Sequence, residues 1–209
     1  ILIRAASITF LLDCGPSTLQ AMKKASLATT DVSAIVLSHL HGDHFGGIPF
    51  FFLEYQFLSR RSDELLIAGP SGTQQRVEDL YRVMFSEMVN IPRKFSVGYR
   101  EMRPGEVLDL GDVRVYPFAV IHPIKEMAFG YRVEEGNTVV CYTGDTQWFP
   151  ELPDVVKGAD LLIAEGFAFE NAIPRHLSYR ELMTHKKKLS VGRILLTHMG
   201  PETLKNLEK

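Results

Sequence analysis

The sequence predicts an α/β protein in which helices cover mixed β-sheets. Strand-like and helix-like apolar patterns alternate from one end of the chain to the other, helical crossovers separate several of the strands, and one pair of strands forms an antiparallel hairpin. The chain has 209 residues, of which 45% are hydrophobic, so it can bury one good-sized core. A single domain over residues 1–209 is therefore expected.

In the first half of the chain, short apolar runs alternate with longer helix-like segments. Pro16 and Ser17 open a helix after the first strand, because proline is tolerated in the first helical turn. The pair Gly46-Gly47 introduces a bend ahead of a mostly apolar and aromatic helix. The predicted strands cover residues 8–12, 34–37, 65–68 and 95–99, and the predicted helices cover residues 16–25, 45–58 and 73–88.

In the second half, strand patterns predominate. The run 134–137 contains Gly136 and Asn137 and predicts the turn of a hairpin. Ser178 and Glu181 have the spacing of a capping box, which predicts a helix from that point to about residue 189. The predicted strands cover residues 113–120, 130–133, 138–143, 160–164 and 193–197.

Composition and charge narrow the range of partners and locations. The net charge of −2 gives no general attraction to phosphate polymers, so no stable nucleic-acid partner is expected. No stretch is long enough to span a bilayer, so no membrane partner is expected. Cys14 and Cys141 lie in apolar strand-like segments, which favours a reducing, cytoplasmic location, although one bridge between them is an open alternative. Residues 1–3 begin directly in a strand-like pattern without a methionine, and we expect N-terminal strand sequence to be missing.

The densest chemical signal is the run 38–44. It contains His39, His41, Asp43 and His44, which are four side chains able to bind metal within six residues. A solvated loop has no need of them, and a buried loop could not satisfy them without an ion, because polar groups removed from water need partners. The run therefore predicts a metal site.

Three further candidates share one placement. His122, Asp145 and His198 each follow a predicted strand, as the run 38–44 does. Strand ends are where side chains from distant parts of the sequence converge on one crevice. We therefore expect these residues to join the histidine run in one site.

The ligand types favour two ions. His39, His41 and His122 would hold one ion, and Asp43, His44 and His198 would hold the second, with the carboxylate of Asp145 bridging the two. Nitrogen and oxygen ligands favour zinc, with manganese or iron as alternatives. Two ions can lower the pKa of a bound water from 15.7 to roughly 7, which supplies hydroxide at neutral pH. The expected activity is metal-dependent hydrolysis of a small-molecule substrate.

The same residues carry a family resemblance. The run His39-x-His41-x-Asp43-His44, preceded by Asp13 and followed by His122, Asp145 and His198, resembles the five motifs of the metallo-β-lactamase superfamily. The resemblance extends over nearly the whole chain and implies a four-layer αβ/βα sandwich with a dinuclear site at the edge of its two sheets. Because Asp145 and His44 are both present, the pattern differs from the lactamase branch, and no β-lactamase activity is expected.

Within the superfamily, the segments around Glu165, His176 and His198 are similar to ribonuclease Z and to cyclic phosphodiesterases. That resemblance implies that His176, paired with Glu165, protonates the departing oxygen, while Asp43 orients the attacking hydroxide and binds metal. A leaving alkoxide needs such an acid. Ribonuclease Z-like RNA processing is a second interpretation, but the long tRNA-binding arm of those enzymes has no room in the 22 residues between His122 and Asp145. A small phosphodiester is therefore the preferred substrate.

Other functions use the same fold. A lactonase or thioesterase would use the same metal site, with Tyr179 turned inward, and the position of His176 discriminates between these activities and a phosphodiesterase. A flavin-linked diiron enzyme carries glutamate at the position of His41, which argues against that branch. A binding module without activity is disfavoured because no ligand position has been lost.

Several residues have both structural and functional interpretations. Asp13 is expected to hydrogen-bond the histidine loop instead of binding metal. The aromatic residues between Phe50 and Phe57 suit a helix packed in the core, and otherwise a substrate lip or the face of a homodimer. Trp148 could stack on a substrate or plug the fold. His185 is interpreted as a surface residue.

Overall fold

The computed structural model describes residues 1–59, 61–171 and 173–207. The chain divides into two compact units, Ile1–Met102 and Arg103–Lys209, and each is built on one β-sheet. Both sheets are mixed and carry helices, so the predicted α/β class is confirmed. The single-domain assignment stays a prediction.

The first unit alternates strands and helices along the chain. Strands β2 to β5 run parallel, with Leu11 opposite Ile35 and Ile35 opposite Ile67, and β1 is antiparallel to β2. The middle strands are buried, as expected for parallel strands covered by helices. The elements are β1 (Leu2–Arg4), β2 (Thr9–Leu12), α1 (Thr18–Lys24), β3 (Val32–Val36), α2 (Gly42–Phe45), α3 (Ile48–Leu53), β4 (Leu65–Gly69), α4 (Thr73–Met84) and β5 (Val97–Glu101).

The second unit begins with an antiparallel meander and ends with parallel strands. Its sheet has the order β11-β10-β9-β8-β7-β6, with β9, β10 and β11 parallel. The elements are β6 (Leu108–Asp109), β7 (Val113–Ala119), β8 (Phe129–Glu135), β9 (Thr138–Tyr142), α5 (Leu152–Val155), β10 (Leu161–Glu165), α6 (Tyr179–His185), β11 (Arg193–Thr197) and α7 (Pro201–Lys205).

Local sequence signals explain several element ends. The hairpin between β8 and β9 turns at Gly136, whose φ of 57° favours glycine. The predicted capping box is confirmed, because Ser178 Oγ accepts a hydrogen bond from the backbone N–H of Glu181 at 3.1 Å. The helix then continues as a 3₁₀ turn over Lys186–Lys188.

The predicted helix over residues 45–58 is wrong in its details. The chain forms α2 and α3 on either side of the glycine pair, and the last part, Glu54–Leu58, is a π-helix. Helix α4 ends at Met84, four residues earlier than predicted, because Phe85 leaves the helical conformation with φ −139°. Strand β5 starts at Val97 because that residue pairs with Leu65. The short elements β6, α5 and α7 were not predicted.

The aromatic segment divides between core and surface. Phe51, Phe52 and Tyr55 are buried in the core of the first unit, which confirms the core interpretation for these three rings. Phe50 and Phe57 are 37% and 46% exposed, and a homodimer stays a prediction.

The two cysteines are free, buried thiols, and burial raises the pKa of Cys141 to about 11. Within the described part of the chain, no helix has both the length and the apolar character needed to cross a bilayer.

The glycine pair fixes how the histidine loop packs in the first unit. Gly47 donates its N–H to the Cys14 carbonyl at 2.8 Å, and a Cβ atom at position 47 would overlap the carbonyl oxygens of Gly15 and Cys14. We expect Gly47→Ala to lower the free energy of unfolding by about 1–3 kcal/mol, because backbone atoms cannot yield to the added methyl group. Chemical denaturation measures this.

The matched control is Gly42→Ala in the same loop. A Cβ atom there meets nothing within 4 Å, so the free energy of unfolding should change by less than about 0.5 kcal/mol. Equal effects of the two substitutions would contradict the packing argument.

Candidate functional site

The histidine loop of the first unit follows β3 directly. It leaves the strand after Val36 and enters α2 with His41 at the helix N-cap. His39 and His44 are buried, whereas His41 is half-buried and Asp43 is exposed. The loop therefore holds two imidazoles firmly inside and presents the other two ligand candidates near its surface.

Asp13 anchors this loop from the end of β2. Its Oδ1 accepts a hydrogen bond from the backbone N–H of Ser38 at 2.7 Å, and its Oδ2 accepts one from the Ser38 hydroxyl at 2.8 Å and one from His44 Nδ1 at 2.7 Å. The expectation that Asp13 hydrogen-bonds the histidine loop is confirmed. Ser38, which the sequence interpretation gave no role, is its main partner.

These bonds determine the tautomers of two histidines. His44 Nδ1 must carry the proton that it donates to Asp13. Because the Ser38 hydroxyl gives its proton to Asp13, Ser38 Oγ accepts from His39 Nδ1, which lies 3.0 Å away. Both rings therefore keep a lone pair on Nε2, which is the form in which imidazole binds metal.

The electrostatics of Asp13 agree with this role. Burial opposes ionisation of its carboxyl group, but the interaction with the His44 imidazole and the hydrogen bond from the backbone of Ser38 outweigh burial, and the pKa of Asp13 is lowered. The group is therefore a carboxylate at neutral pH and a permanent acceptor for both partners.

The ligand atoms of the first unit fall into two pairs. His39 Nε2 lies 3.0 Å from His41 Nδ1, and His44 Nε2 lies 3.6 Å from Asp43 Oδ2. Two nitrogens on one tetrahedral zinc at 2.0–2.1 Å would lie about 3.3 Å apart. The donor set and its spacing therefore fit divalent metal ions.

In the second unit, the predicted residues again stand at strand ends. His122 follows β7, Asp145 follows β9, His198 follows β11, and Glu165 is the last residue of β10. Asp145 and Glu165 are buried, with exposed fractions of 2% and 0%, and His122 is buried as well. His176 lies in the loop before α6 and is half-buried.

The second unit brings these residues together. Ligand atoms of His122, Asp145 and His176 lie within 4.8 Å of one another, as do those of Glu165, His176 and His198. His198 Nε2 is 3.5 Å from Asp145 Oδ2. His122 Nδ1 donates a hydrogen bond to the Arg175 carbonyl at 3.0 Å, which leaves the lone pair on Nε2, the form in which imidazole can bind metal.

The predicted pair of Glu165 and His176 is present. His176 Nδ1 lies 3.0 and 3.2 Å from the two carboxylate oxygens of Glu165. Glu165 Oε1 also accepts the backbone N–H of Thr146 at 2.5 Å. The ring of Phe167 stacks on His176 with centroids 4.9 Å apart. Thr146 and Phe167 were missed, because only their adjacency to Asp145 and Glu165 marks them in the sequence.

Three other interpretations are decided by ring contacts. Tyr179 stacks on Phe169 at a centroid distance of 5.2 Å. Trp148 stacks on His185 at 4.1 Å and packs against the core of the second unit, which favours its structural interpretation. The prediction that His185 is a simple surface residue is wrong, because its half-buried ring covers Trp148.

Comparisons with known proteins identify a family and several solved structures that this chain resembles. Residues 9–199 match the family described as the β-lactamase superfamily domain. Ribonuclease Z of Methanosarcina acetivorans is 25% identical over 260 positions, covering 100% of this chain and 83% of the relative. The crystal structure of the short form of human tRNase Z has a TM-score of 0.79 at 24% identity, covering 96% of this chain and 85% of that one. A diphosphatase of the PhnP family has a TM-score of 0.73 at 19% identity, covering 95% and 72% of the two chains.

The chain therefore belongs to the β-lactamase superfamily, and its fold is the metallo-β-lactamase fold. This confirms the resemblance drawn from the sequence. The protein is a hydrolase of a family that binds divalent metal ions, and its histidine and aspartate clusters are consistent with that chemistry.

The carboxylate of Asp13 provides a test of the metal-binding loop. We expect Asp13→Asn to weaken metal binding roughly 10–100-fold, because the amide cannot serve as acceptor for both Ser38 and His44 Nδ1, and outer partners of this kind orient the ligands. Zinc titration with a competing chelator measures the affinity.

Asp31→Asn is the control, because it makes the same chemical change at an exposed position in the first unit. Unchanged zinc affinity in Asp13→Asn, with an unchanged circular dichroism spectrum, would contradict the orienting role.

Proposed function

We propose that this hydrolase is a phosphodiesterase that acts on a small phosphodiester through a dinuclear metal site. The observation that supports the proposal most strongly is the buried Glu165 carboxylate holding Nδ1 of His176. When the ring is protonated, an imidazolium held in this way presents its Nε2–H as a proton donor, which a poor leaving group requires.

The proposed ligand set keeps the assignment made from the sequence. Two ions would be bound by His39, His41 and His122 and by Asp43, His44 and His198, with Asp145 between them. The short distances within the two pairs of the first unit, 3.0 Å and 3.6 Å, are consistent with one pair for each ion. Imidazole and carboxylate ligands favour zinc, with manganese or iron as alternatives. When bound, such ions lower the pKa of water to roughly 7 and stabilise developing charge on phosphoryl oxygens.

The protein's own residues would complete the reaction. Water adds to phosphorus, the bond from phosphorus to the leaving oxygen breaks, and His176 Nε2 gives its proton to that oxygen. Asp43, which is largely exposed in the first unit, would orient the water. Glu165 cannot take part as a nucleophile, because its carboxylate is fully buried and hydrogen-bonded to Thr146 and His176. Its proposed role is to orient and stabilise the imidazolium of His176.

The relatives agree with chemistry at phosphorus. They include a ribonuclease Z and a diphosphatase of the PhnP family. Ribonuclease Z-like RNA processing is the second candidate, supported by these relatives. We favour a small substrate because only 22 residues lie between His122 and Asp145, which leaves no room for the long tRNA-binding arm that the resemblance to ribonuclease Z implies there. The net charge of −2 also gives no general attraction to RNA.

A lactonase or thioesterase is less well supported. The tyrosine that such an activity would use, Tyr179, has its ring stacked on Phe169. His176 instead has its Nδ1 3.8 Å from Asp145 Oδ2, and its ring lies beside His122 and His198. This placement of the histidine supports a phosphodiester over a lactone or thioester.

The metal proposal predicts two equivalents of transition metal per chain after metal-supplemented expression. Asp145→Ala should lower the metal content below two equivalents per chain, because the proposed bridging carboxylate is lost. Elemental analysis of the purified proteins measures both. Less than one equivalent in the parent protein, or two retained in Asp145→Ala, would reject the dinuclear site.

The acid proposal predicts an asymmetric loss of activity. His176→Ala should slow hydrolysis of an alkyl phosphodiester by roughly 10²–10⁴-fold, the usual range for a positioned acid. An activated nitrophenyl ester should lose much less, because its leaving group needs no proton. Metal content should stay unchanged.

His185→Ala is the matched control, since it removes another half-buried histidine of the second unit that stacks on Trp148. It should not change the ratio of the two rates. If His176→Ala reduced both rates equally, His176 would be a binding or structural residue and not the acid.

A further inference from the structure

Arg175 has a backbone conformation that is unusual for its residue type. Four residues other than glycine have a positive φ in the described part of the chain: Asp13 at 58°, Ser26 at 54°, Arg175 at 79° and His198 at 49°. This left-handed region costs free energy for any residue with a Cβ atom, and glycine avoids most of that cost. Outliers of this kind cluster at functional sites.

The other three outliers have evident roles. Asp13 anchors the histidine loop, and His198 is a proposed metal ligand. Ser26 ends helix α1: its N–H donates to the Lys23 carbonyl, and the N–H of Leu27 donates to the Met22 carbonyl, which is the usual left-handed helix end. Arg175 ends no helix. It is the third residue of a β-turn that the N–H of His176 closes on the Ile173 carbonyl at 3.1 Å, a position whose positive φ favours glycine.

The backbone of Arg175 contributes to the site, but its side chain is not needed for that contribution. Its carbonyl accepts the hydrogen bond from His122 Nδ1 at 3.0 Å, and the next residue is His176. Glycine would supply the same carbonyl and would adopt the same φ with less strain. Because glycine would satisfy the backbone at this position, we look for a function of the arginine side chain.

The guanidinium of Arg175 is available for such a role. The residue is exposed, and no hydrogen bond or ion pair of its side chain occurs among the described residues. Arg180 provides a contrast in the same unit, because its Nε and Nη2 donate to the two carboxylate oxygens of Glu170 at 2.9 and 2.7 Å. An exposed guanidinium on the residue that precedes His176 is suited to bind an anion in two-point geometry.

We propose that Arg175 is a specificity-determining residue that binds a negatively charged group on the leaving alcohol of the substrate. The inference rests on the proposed phosphodiesterase function. Because Arg175 directly precedes His176, the proposed proton donor to the leaving oxygen, its side chain is assigned to the leaving-group side of the reaction. The substrate class is therefore a phosphodiester whose departing alcohol carries a phosphate or a carboxylate.

The test uses three methyl benzyl phosphodiesters that differ only in the para substituent of the benzyl alcohol: phosphonate, carboxylate or neutral carboxamide. We expect Arg175→Gly to lower kcat/KM for the two anionic esters by roughly 5–50-fold, mainly through KM, as loss of a charge-assisted contact at a partly exposed site would do. The neutral ester should change by less than about twofold. If kcat/KM falls only for the phosphonate ester, Arg175 recognises a dianionic group. If it falls for both anionic esters, Arg175 recognises anions in general.

Stability provides an independent measurement. The thermal midpoint of Arg175→Gly should equal or exceed that of the parent protein, because glycine relieves the left-handed conformation. Arg175→Lys should recover part of the activity on the anionic esters. Ser26→Gly should relieve a comparable conformation without any kinetic change. Arg180→Ala removes another positive charge of the same unit, and it should not lower kcat/KM for the anionic esters more than for the neutral ester.

The outcomes separate this inference from the proposed function. If the parent protein hydrolyses none of the three esters, the phosphodiesterase proposal fails and Arg175 fails with it. If the parent hydrolyses them and Arg175→Gly loses activity equally on all three, or on none, only the role of Arg175 is overturned.

Discussion

The histidine clusters of the two units share one constraint: four of the rings are held by one ring nitrogen, so that the other nitrogen is directed. Asp13 holds His44, Ser38 holds His39, the Arg175 carbonyl holds His122, and Glu165 holds His176. A neutral imidazole has one donor and one acceptor nitrogen, so fixing the donor also fixes the tautomer and the direction of the lone pair. For His176 the partner is a carboxylate, and the ring lies in the cluster with Glu165 and His198.

The two buried carboxylates, Asp13 and Glu165, explain why the histidines that they hold lie close to strand ends. Asp13 directly follows β2 and Glu165 is the last residue of β10, where the strands have already satisfied most of their backbone groups. Loops leaving such positions can bend toward the carboxylates, and the carboxylates are removed from water by the strands around them. Burying a charge is costly unless it is fully hydrogen-bonded, and each carboxylate has at least two donors.

The sequence was sufficient for the fold class and for the ligand candidates, because histidines and carboxylates clustered after strands are difficult to satisfy without a metal ion. Family membership confirms the class. The sequence could not reveal the partners that orient the ligands: Ser38, Thr146 and the Arg175 carbonyl contribute a hydroxyl or backbone groups, which every loop contains. It also could not predict the π-helix at Glu54–Leu58 or the early end of α4, since the apolar pattern continues through both. His185 was misjudged because its contact with Trp148 joins residues far apart in sequence.

The central claim is that His176, held by Glu165, protonates the leaving oxygen of a phosphodiester. The most direct measurement is the dependence of kcat/KM of the parent enzyme on the pKa of the leaving alcohol, across a series of esters with one constant group. Proton donation in the transition state neutralises the departing oxygen, so we expect a shallow dependence that extends to simple alkyl alcohols. A steep fall in rate with rising leaving-group pKa would mean that the oxygen departs as an alkoxide, and would contradict the account.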